Sequence, residues 1–381
     1  MGGSYIMHEC PVTRRQVLAA SANVVAAGTL GSLLPRVAHA QKPVTVGFVY
    51  VGPKNDYGWN QSHAVAAQKI ARMEGVKLIE QENVPETVEA EKVMEGMIRQ
   101  DGARVIFASS FGYWPSVLKV ARKYPDALFA HIGALWKDGD PKNTIGFRGY
   151  MEEPHYLCGA VAGHVSKTGK IAFVGSKPVY FIFNNCNGFI LGARSVNPKL
   201  TCQVVITGDW NNPVREAEVT NSLIDQGVDV IVANVDSAKV VIENAERRGI
   251  WSCGYHTDVS ALAPKGFLTG AEWNWAAGAQ FVKAWQTGGS YPNLLRGGFK
   301  HDMVALSPFG RLVPEDVRAK VLKLRQAFAD DSLKLYRGPL KDNEGNVILK
   351  DGEVIANDDN KFKLNVKFIV EGGIGKTGLK N

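Results

Sequence analysis

The chain has 381 residues, 45% of them hydrophobic and 21% charged, and a formal net charge of +7. That length holds two domains of ordinary size, and the balance is that of a globular protein, which excludes a disordered chain and a membrane channel. The positive excess is spread thinly, with no basic run or basic helix on which a nucleic-acid partner could be argued.

Residues 1–40 read as a separate segment. The pair Arg14-Arg15 precedes the weakly apolar "VLAASANVVAAGTLGSLL", and Ala38, His39 and Ala40 precede Gln41. A charged start, an apolar run and a small-residue exit make an export signal, cleaved after Ala40, and the twin arginine marks export of folded protein to the periplasm. An internal amphipathic or spanning helix is the competing reading, and the richness in Ala, Gly and Ser speaks against it. Four cysteines follow the signal: Cys158, Cys186, Cys202 and Cys253. None has C-x-x-C or zinc-like spacing, so buried thiols are expected ahead of a bridge, with Cys186 and Cys202 the first pair to check.

From residue 44 onward, short apolar runs alternate with helix-period segments. "VTVGFVY" (44–50), "VKLIEQ", "ARVIFASS" (103–110) and "ALFAHIG" (127–133) are the strands of a first half; "KIAFVGS" from residue 170, "CQVVITGDW", "VDVIVANVD" (228–236) and "IWSCGYHTD" (250–258) are those of a second. The spacing from Phe48 to Phe107 equals that from Phe173 to Val232, so the halves are built alike. Continuous Val/Ile runs between Gly-ended helices predict parallel sheets covered on both faces, hence an α/β protein of two doubly wound, Rossmann-like lobes with a hinge. The expected division is 41–150 for the first lobe, with a segment near 270–310 returning to it, and 151–270 for the second. Residues 134–169 and 259–300 are expected to hold the crossings. In 311–381, "VPEDVRAKVLKLRQAFA" predicts an amphipathic helix, and "DNEGN" and "KDGE" mark turns of a small β appendage.

In such sheets ligands lie beyond the carboxyl ends of the strands, so the loops after residues 50, 108, 132, 175, 207, 233 and 255 are the ones to inspect. Aromatic residues crowd them: Tyr57 and Trp59 in the first, Phe111 and Tyr113 in "SSFGYWPS", Phe181 in a loop "KPVYFIFNN", Trp210 in "GDWNNP" and Trp273 in "EWNW". Opposed aromatic faces suit a flat, polarizable ligand, and offset stacking adds about 0.5–1.5 kcal/mol per pair. Asp56, Asn60, Asp236 and Asp258, interleaved with them, would read the ligand's edge. Asp258 is the leading polar candidate, Trp59 and Phe111 the leading stacking ones. Asp236 has a second reading as the cap of the helix beginning "SAKVVIENA".

Several motifs fail. "GGIGKTG" fits G-x-G-x-x-G through Gly373, Gly375 and Gly378, yet too few residues follow to form the required helix. There is no H-E-x-x-H, G-x-S-x-G or nearby Cys-His pair, and His155 and His164 lack a metal spacing, so a surface or capping role is expected for them. No cofactor or metal is expected.

"DYGWNQ" (56–61), "FRGYMEEPHYLCGAVAG" (147–163), "NGFILGARSVNP" (187–198), "DQGVDVIVANVDS" (225–237), "GYHTD" (254–258) and "VEGGIG" (370–375) together resemble the basic membrane protein family of ABC-transporter substrate-binding proteins, many of them purine nucleoside or nucleobase receptors. The resemblance runs over almost all of the chain after residue 40. It implies a type I periplasmic binding fold that closes on a small molecule and docks onto a membrane permease, with Asp56, Trp59, Asn60 and Asp258 at ligand-contacting places. Many relatives carry a lipid-anchored cysteine where Gln41 stands here, which implies a freely soluble receptor. The expected function is thus a non-enzymatic periplasmic receptor for a purine-like base or nucleoside. The alternative is an exported enzyme acting on a small heteroaromatic substrate, prompted by the twin arginine and opposed by the lack of any catalytic or cofactor motif.

Overall fold

The computed structural model describes residues 42–379. The expected export signal and its cleavage site lie outside the described residues.

In chain order, β1 (Val44–Val49), α1 (Trp59–Ala71), β2 (Val76–Gln81), α2 (Val88–Arg99), β3 (Ala103–Ala108), α3 (Trp114–Lys123) and β4 (Leu128–His131) alternate, followed by β5 (Thr144–Gly149). Helix α4 (Glu152–Val165) leads into a second series: β6 (Lys170–Gly175), α5 (Tyr180–Val196), β7 (Thr201–Ile206), α6 (Pro213–Asp225), β8 (Val230–Asn234), α7 (Lys239–Arg247), β9 (Trp251–His256) and β10 (Phe267–Trp273). Then come α8 (Ala279–Thr287), β11 (Leu294–Gly297), β12 (Val304–Leu306), α9 (Glu315–Ala329), the hairpin β13 (Leu340–Lys341) and β14 (Val347–Leu349), α10 (Asn360–Lys363) and β15 (Gly373–Ile374).

The strands form two large sheets, ordered β11-β5-β4-β3-β1-β2 and β12-β10-β9-β8-β6-β7-β15. Within them every pairing is parallel except β10 with β12. Strand β8 is buried at every position, as a central parallel strand covered on both faces must be. Both sheets contain the doubly wound order 2-1-3-4-5, so the switch points fall between β1 and β3 and between β6 and β8.

Residues 134–169 and 259–300 do more than cross between lobes. They contain β5, β10 and β11, and β11 is the segment that returns to the first sheet beside β5. The stretch "KPVYFIFNN" is not a loop, since α5 begins at Tyr180. Its apolar and amide residues are spread around the whole helix, a pattern that fits a helix buried on all sides. The C-terminal segment covers its second face: Tyr336 Oη donates to Asn184 Oδ1 at 2.9 Å, and the Val370 N–H donates to Asn187 Oδ1 at 2.9 Å. Asn187 Nδ2 donates in turn to the Phe368 carbonyl at 3.0 Å. "GGIG" adds β15 to the edge of the second sheet beside β7.

Helices α4 and α5 pack with their backbones in contact. A Cβ at Gly192 would overlap the Tyr156 carbonyl, and one at Gly159 the Phe189 carbonyl, so glycine is required at both by proximity. All four described cysteines are free and buried, Cys186 and Cys202 included.

Candidate functional site

The loop after β1 is organised by Asp56. Its carboxylate accepts from the backbone N–H groups of Gly58 (2.9 Å), Asn60 (2.9 Å) and Gln61 (3.0 Å) and from Asn60 Nδ2 (2.8 Å). These are orphan donors of the first turn of α1, where a negative charge also meets the positive end of the helix dipole. Asn60 Oδ1 accepts from the Gly52 N–H at 3.2 Å. Asp56 and Asn60 therefore build the loop, and their polar atoms are engaged within it. Tyr57, at φ 55°, is turned toward the second lobe, where the Lys239 ammonium lies 5.1 Å from its ring centroid.

Trp59 opens α1 and enters a cluster of rings. Its indole lies edge-on to His63 (4.9 Å), His256 (5.4 Å), Trp275 (5.7 Å) and Trp273 (6.0 Å), and its Nε1–H donates to the Ser109 carbonyl at 2.8 Å. Trp273 and Trp275 stack at 4.5 Å. The Trp273 Nε1–H donates to His256 Nδ1 at 2.9 Å, which puts the ring proton of that imidazole on Nε2. Burial, then the nearby His63 and His155, push His256 well below its usual range, so it is neutral.

Across the cleft, Phe181 and Trp210 stack with centroids 5.9 Å apart and planes 5° from parallel. Arg148, from β5, lies with its guanidinium carbon 4.2 Å from the Phe181 centroid and 5.4 Å from that of Trp273. Arg148 thus reaches from the first sheet to two aromatic rings of the second lobe. Behind it, the His155 Nδ1–H donates to the Met151 carbonyl at 2.7 Å and Nε2 accepts from Asn234 Nδ2 at 3.0 Å. His155 is therefore neither on the surface nor a cap: it is fully buried, and burial pushes it down to about 4. It holds the Asn234 amide so that Oδ1, buried at the end of β8, has no protein partner. An unpaired buried acceptor costs about 1–3 kcal/mol, which a ligand donor would recover.

Asp236 does not cap α7, whose N-terminal cap is Ala238 with no side-chain bond. Its N–H donates to the Trp210 carbonyl at 2.8 Å, and its own carbonyl accepts from the Trp59 N–H at 3.0 Å. Burial first, then the charges of Asp56 and Glu216, push its carboxyl up to about 8. Asp258 is exposed, and its Oδ1 accepts from the Ser260 N–H at 2.9 Å in a local turn. Phe111, 47% exposed, stands beside Ser110, whose hydroxyl bonds Glu86. Tyr113 lies in the core of the first lobe, its hydroxyl donating to the Val84 carbonyl at 2.5 Å.

The tertiary structure thus sets Phe181 and Trp273 against Arg148, with Trp210 stacked on Phe181 and Trp59 edge-on to Trp273, and sets Tyr113 and Asp258 apart from them. A small, partly open pocket lies there, lined by Arg148, Tyr150, Glu152, Phe181, Asn185 and Trp273, and also by Arg296, Asn360 and Lys363. Sequence reading passed over Arg148, Arg296 and Lys363. Arg148 stood inside the quoted "FRGY", whereas Arg296 and Lys363 had no local signal. Among the described residues no group of three His, Cys, Asp or Glu side chains could hold a metal, and no helix is long and apolar enough to cross a membrane.

Two doubly wound lobes with a ring-lined pocket between their strand ends define a two-lobed small-molecule receptor of the type I periplasmic binding fold. The family model described as "ABC transporter substrate-binding protein PnrA-like" matches residues 43–330. The chain belongs to that family. It is 34% identical over 354 residues to a purine-binding protein of Brucella abortus, covering 92% of this chain and 98% of the relative. It is 28% identical over 307 residues to a putative ABC transporter glucose-binding protein of Haloferax volcanii, covering 80% of this chain and 77% of the relative. A solute-binding protein structure from Conexibacter woesei superposes with a TM-score of 0.66 at 22% identity, covering 77% of this chain and 98% of that one, a likeness of fold alone.

Proposed function

We propose that the protein is the exported receptor of an ABC importer, binding a purine-like nucleobase or nucleoside between its lobes and delivering it to the membrane permease. The observation that carries this reading is the composition of the pocket wall: Phe181 and Trp273 of the second lobe pack against Arg148 of the first, an aromatic and cationic lining that suits a flat, polar heterocycle. Asn185, on the pocket wall, supplies an amide for its edge. The Brucella relative, a purine-binding protein, agrees with a purine. Nothing in the pocket calls for a catalytic step; binding and lobe closure suffice for a receptor. Export to the periplasm with cleavage after Ala40 belongs to the same reading, and N-terminal sequencing of the protein recovered from periplasm tests it.

The binding test is a thermal-shift panel of purine bases, nucleosides, pyrimidines, sugars and amino acids on ligand-stripped protein. A ligand at about 100 times its dissociation constant adds about 2.7 kcal/mol, a clear rise in melting temperature. A rise confined to purines supports the reading. A rise with glucose or an amino acid alone overturns it, and turnover of a purine by the pure protein would favour the exported-enzyme alternative.

A further inference from the structure

Arg148 and Arg296 are register partners on the adjacent parallel strands β5 and β11, and both line the pocket. Neighbouring residues of like charge on one face of a sheet repel unless something negative lies against them. Among the described residues neither forms an ion pair. Arg296 Nη2 donates to the Ala134 carbonyl at 2.8 Å, which occupies one N–H of its fork. The carboxylate that lines the pocket, Glu152, is already paired with Lys363 at 2.6 Å, both side chains being almost wholly buried. The pocket therefore holds two guanidinium groups that no protein carboxylate balances.

We propose that the cleft selects a purine whose ring system carries negative charge, an oxopurine anion, with the forks of Arg148 and Arg296 on its O–C–N edge. This deepens the purine-receptor reading and rests on it. A guanidinium presents two parallel N–H donors, which match an edge made of a carbonyl oxygen and a deprotonated ring nitrogen. Adenine would present its own amino donor to those donors. Packing against Phe181 and Trp273 fixes the plane of the Arg148 fork, so little side-chain freedom remains to be lost on binding. The raised Asp236 carboxyl, largely protonated at neutral pH, adds little opposing charge to the cleft.

The experiment is calorimetric titration of the full chain at neutral pH with urate, an anion there, with the neutral bases hypoxanthine and adenine, and with guanosine 5′-monophosphate. Urate is expected to bind about tenfold or more tighter than hypoxanthine and adenine, the scale of one charge-assisted hydrogen bond. That preference ratio is expected to collapse in Arg148→Gln and in Arg296→Gln. Should either variant fail to fold, Arg148→Lys and Arg296→Lys keep the charge and lose the planar fork, and the ratio is still expected to fall by about threefold or more. Hypoxanthine or adenine binding as tightly as urate, or an unchanged ratio in the folded arginine variants, overturns this inference and leaves the purine reading standing. Tighter binding of the monophosphate than of urate overturns the placement of the charge on the ring. Failure of every purine to bind overturns both readings.

Discussion

The backbone N–H of Trp59 donates to the carbonyl of Asp236 at 3.0 Å, joining the first strand-end loop of one lobe to a strand-end loop of the other. Ser237 Oγ adds a donor to the Asp56 carbonyl at 2.8 Å, and Gly58 and Ser237 form a backbone bridge. The lobes are thus fastened there largely by main-chain groups, and the side chains of this region serve the packing of the two lobes.

Trp59 shows the packing role. Its indole is half-buried among four other rings and bonded to Ser109, so Trp59→Ala is expected to lower the stability of the ligand-free protein by about 2–4 kcal/mol as well as weaken ligand binding. Denaturant unfolding of the ligand-free variant checks this. An unchanged midpoint would mean that the ring cluster contributes nothing to the apo fold, and Trp59 would then be a ligand contact alone.

Asp236 makes the stability depend on pH. Its carboxyl is raised to about 8 in the folded chain, so the native state holds a proton that the unfolded state releases near the ordinary aspartate value. The contribution is fully present below about pH 4 and is lost as pH rises through about 8. Asp236→Asn is expected to gain stability relative to the parent as pH rises from about 5 to about 8, by at least the roughly 1.4 kcal/mol of one pKa unit. Parallel urea melts across that range measure the difference, and a constant difference would refute it.

Gly192 lets α5 lie against the carbonyl of Tyr156, and a methyl group there overlaps that oxygen. Gly192→Ala is expected to cost about 3 kcal/mol or more despite the higher helix propensity of alanine, because two backbones must separate. Glycine at 102, where no atom lies within 4 Å of the added carbon but φ is positive, provides a contrasting site at which only the smaller backbone cost applies. Thermal melts of the two alanine variants separate proximity from conformational cost.

Asn187 fastens the C-terminal segment to α5 through Val370 and Phe368. Asn187→Ala leaves a buried N–H and C=O unpaired, and a loss of about 2–3 kcal/mol is expected. Because that segment also carries Asn360 and Lys363 into the pocket, its release is expected to weaken ligand binding and to open new sites to limited proteolysis after α9. An unchanged digestion pattern with full affinity would show that Tyr336 on Asn184 and β15 on β7 hold the segment without Asn187.

Period and punctuation in the sequence were enough for the alternation of strands and helices from β1 to β4 and from β6 to β9, because continuous Val/Ile runs ended by glycine bury both faces of a parallel strand whatever surrounds them. Strand β5, "TIGFRG", was passed over because two glycines and an arginine dilute its apolar signal; its burial comes from β4 and β11 on either side. The reading of 180–185 as a loop failed for a related cause. Aromatic and amide residues all round a helix make no amphipathic stripe, and the covering partners lie 152 to 183 residues further along, in Tyr336, Phe368 and Val370.

The pocket divides in the same way. Phe181 and Trp273, which line it, were conspicuous in the chain as aromatic residues shortly after strands, which is a local feature. Tyr113 and Asp258 had the same local signature, yet one turned into the core and the other into a surface turn, because the direction of a side chain depends on what packs against it. Arg148 opposite Arg296, Lys363 on Glu152 and the His155 that orients Asn234 came only from the tertiary structure. Sequence by itself determined the fold class and the succession of strands and helices, since both follow from short-range periodicity. The charge and shape of that site were decided by parallel register and lobe contact, which bring together residues that no spacing in the chain relates.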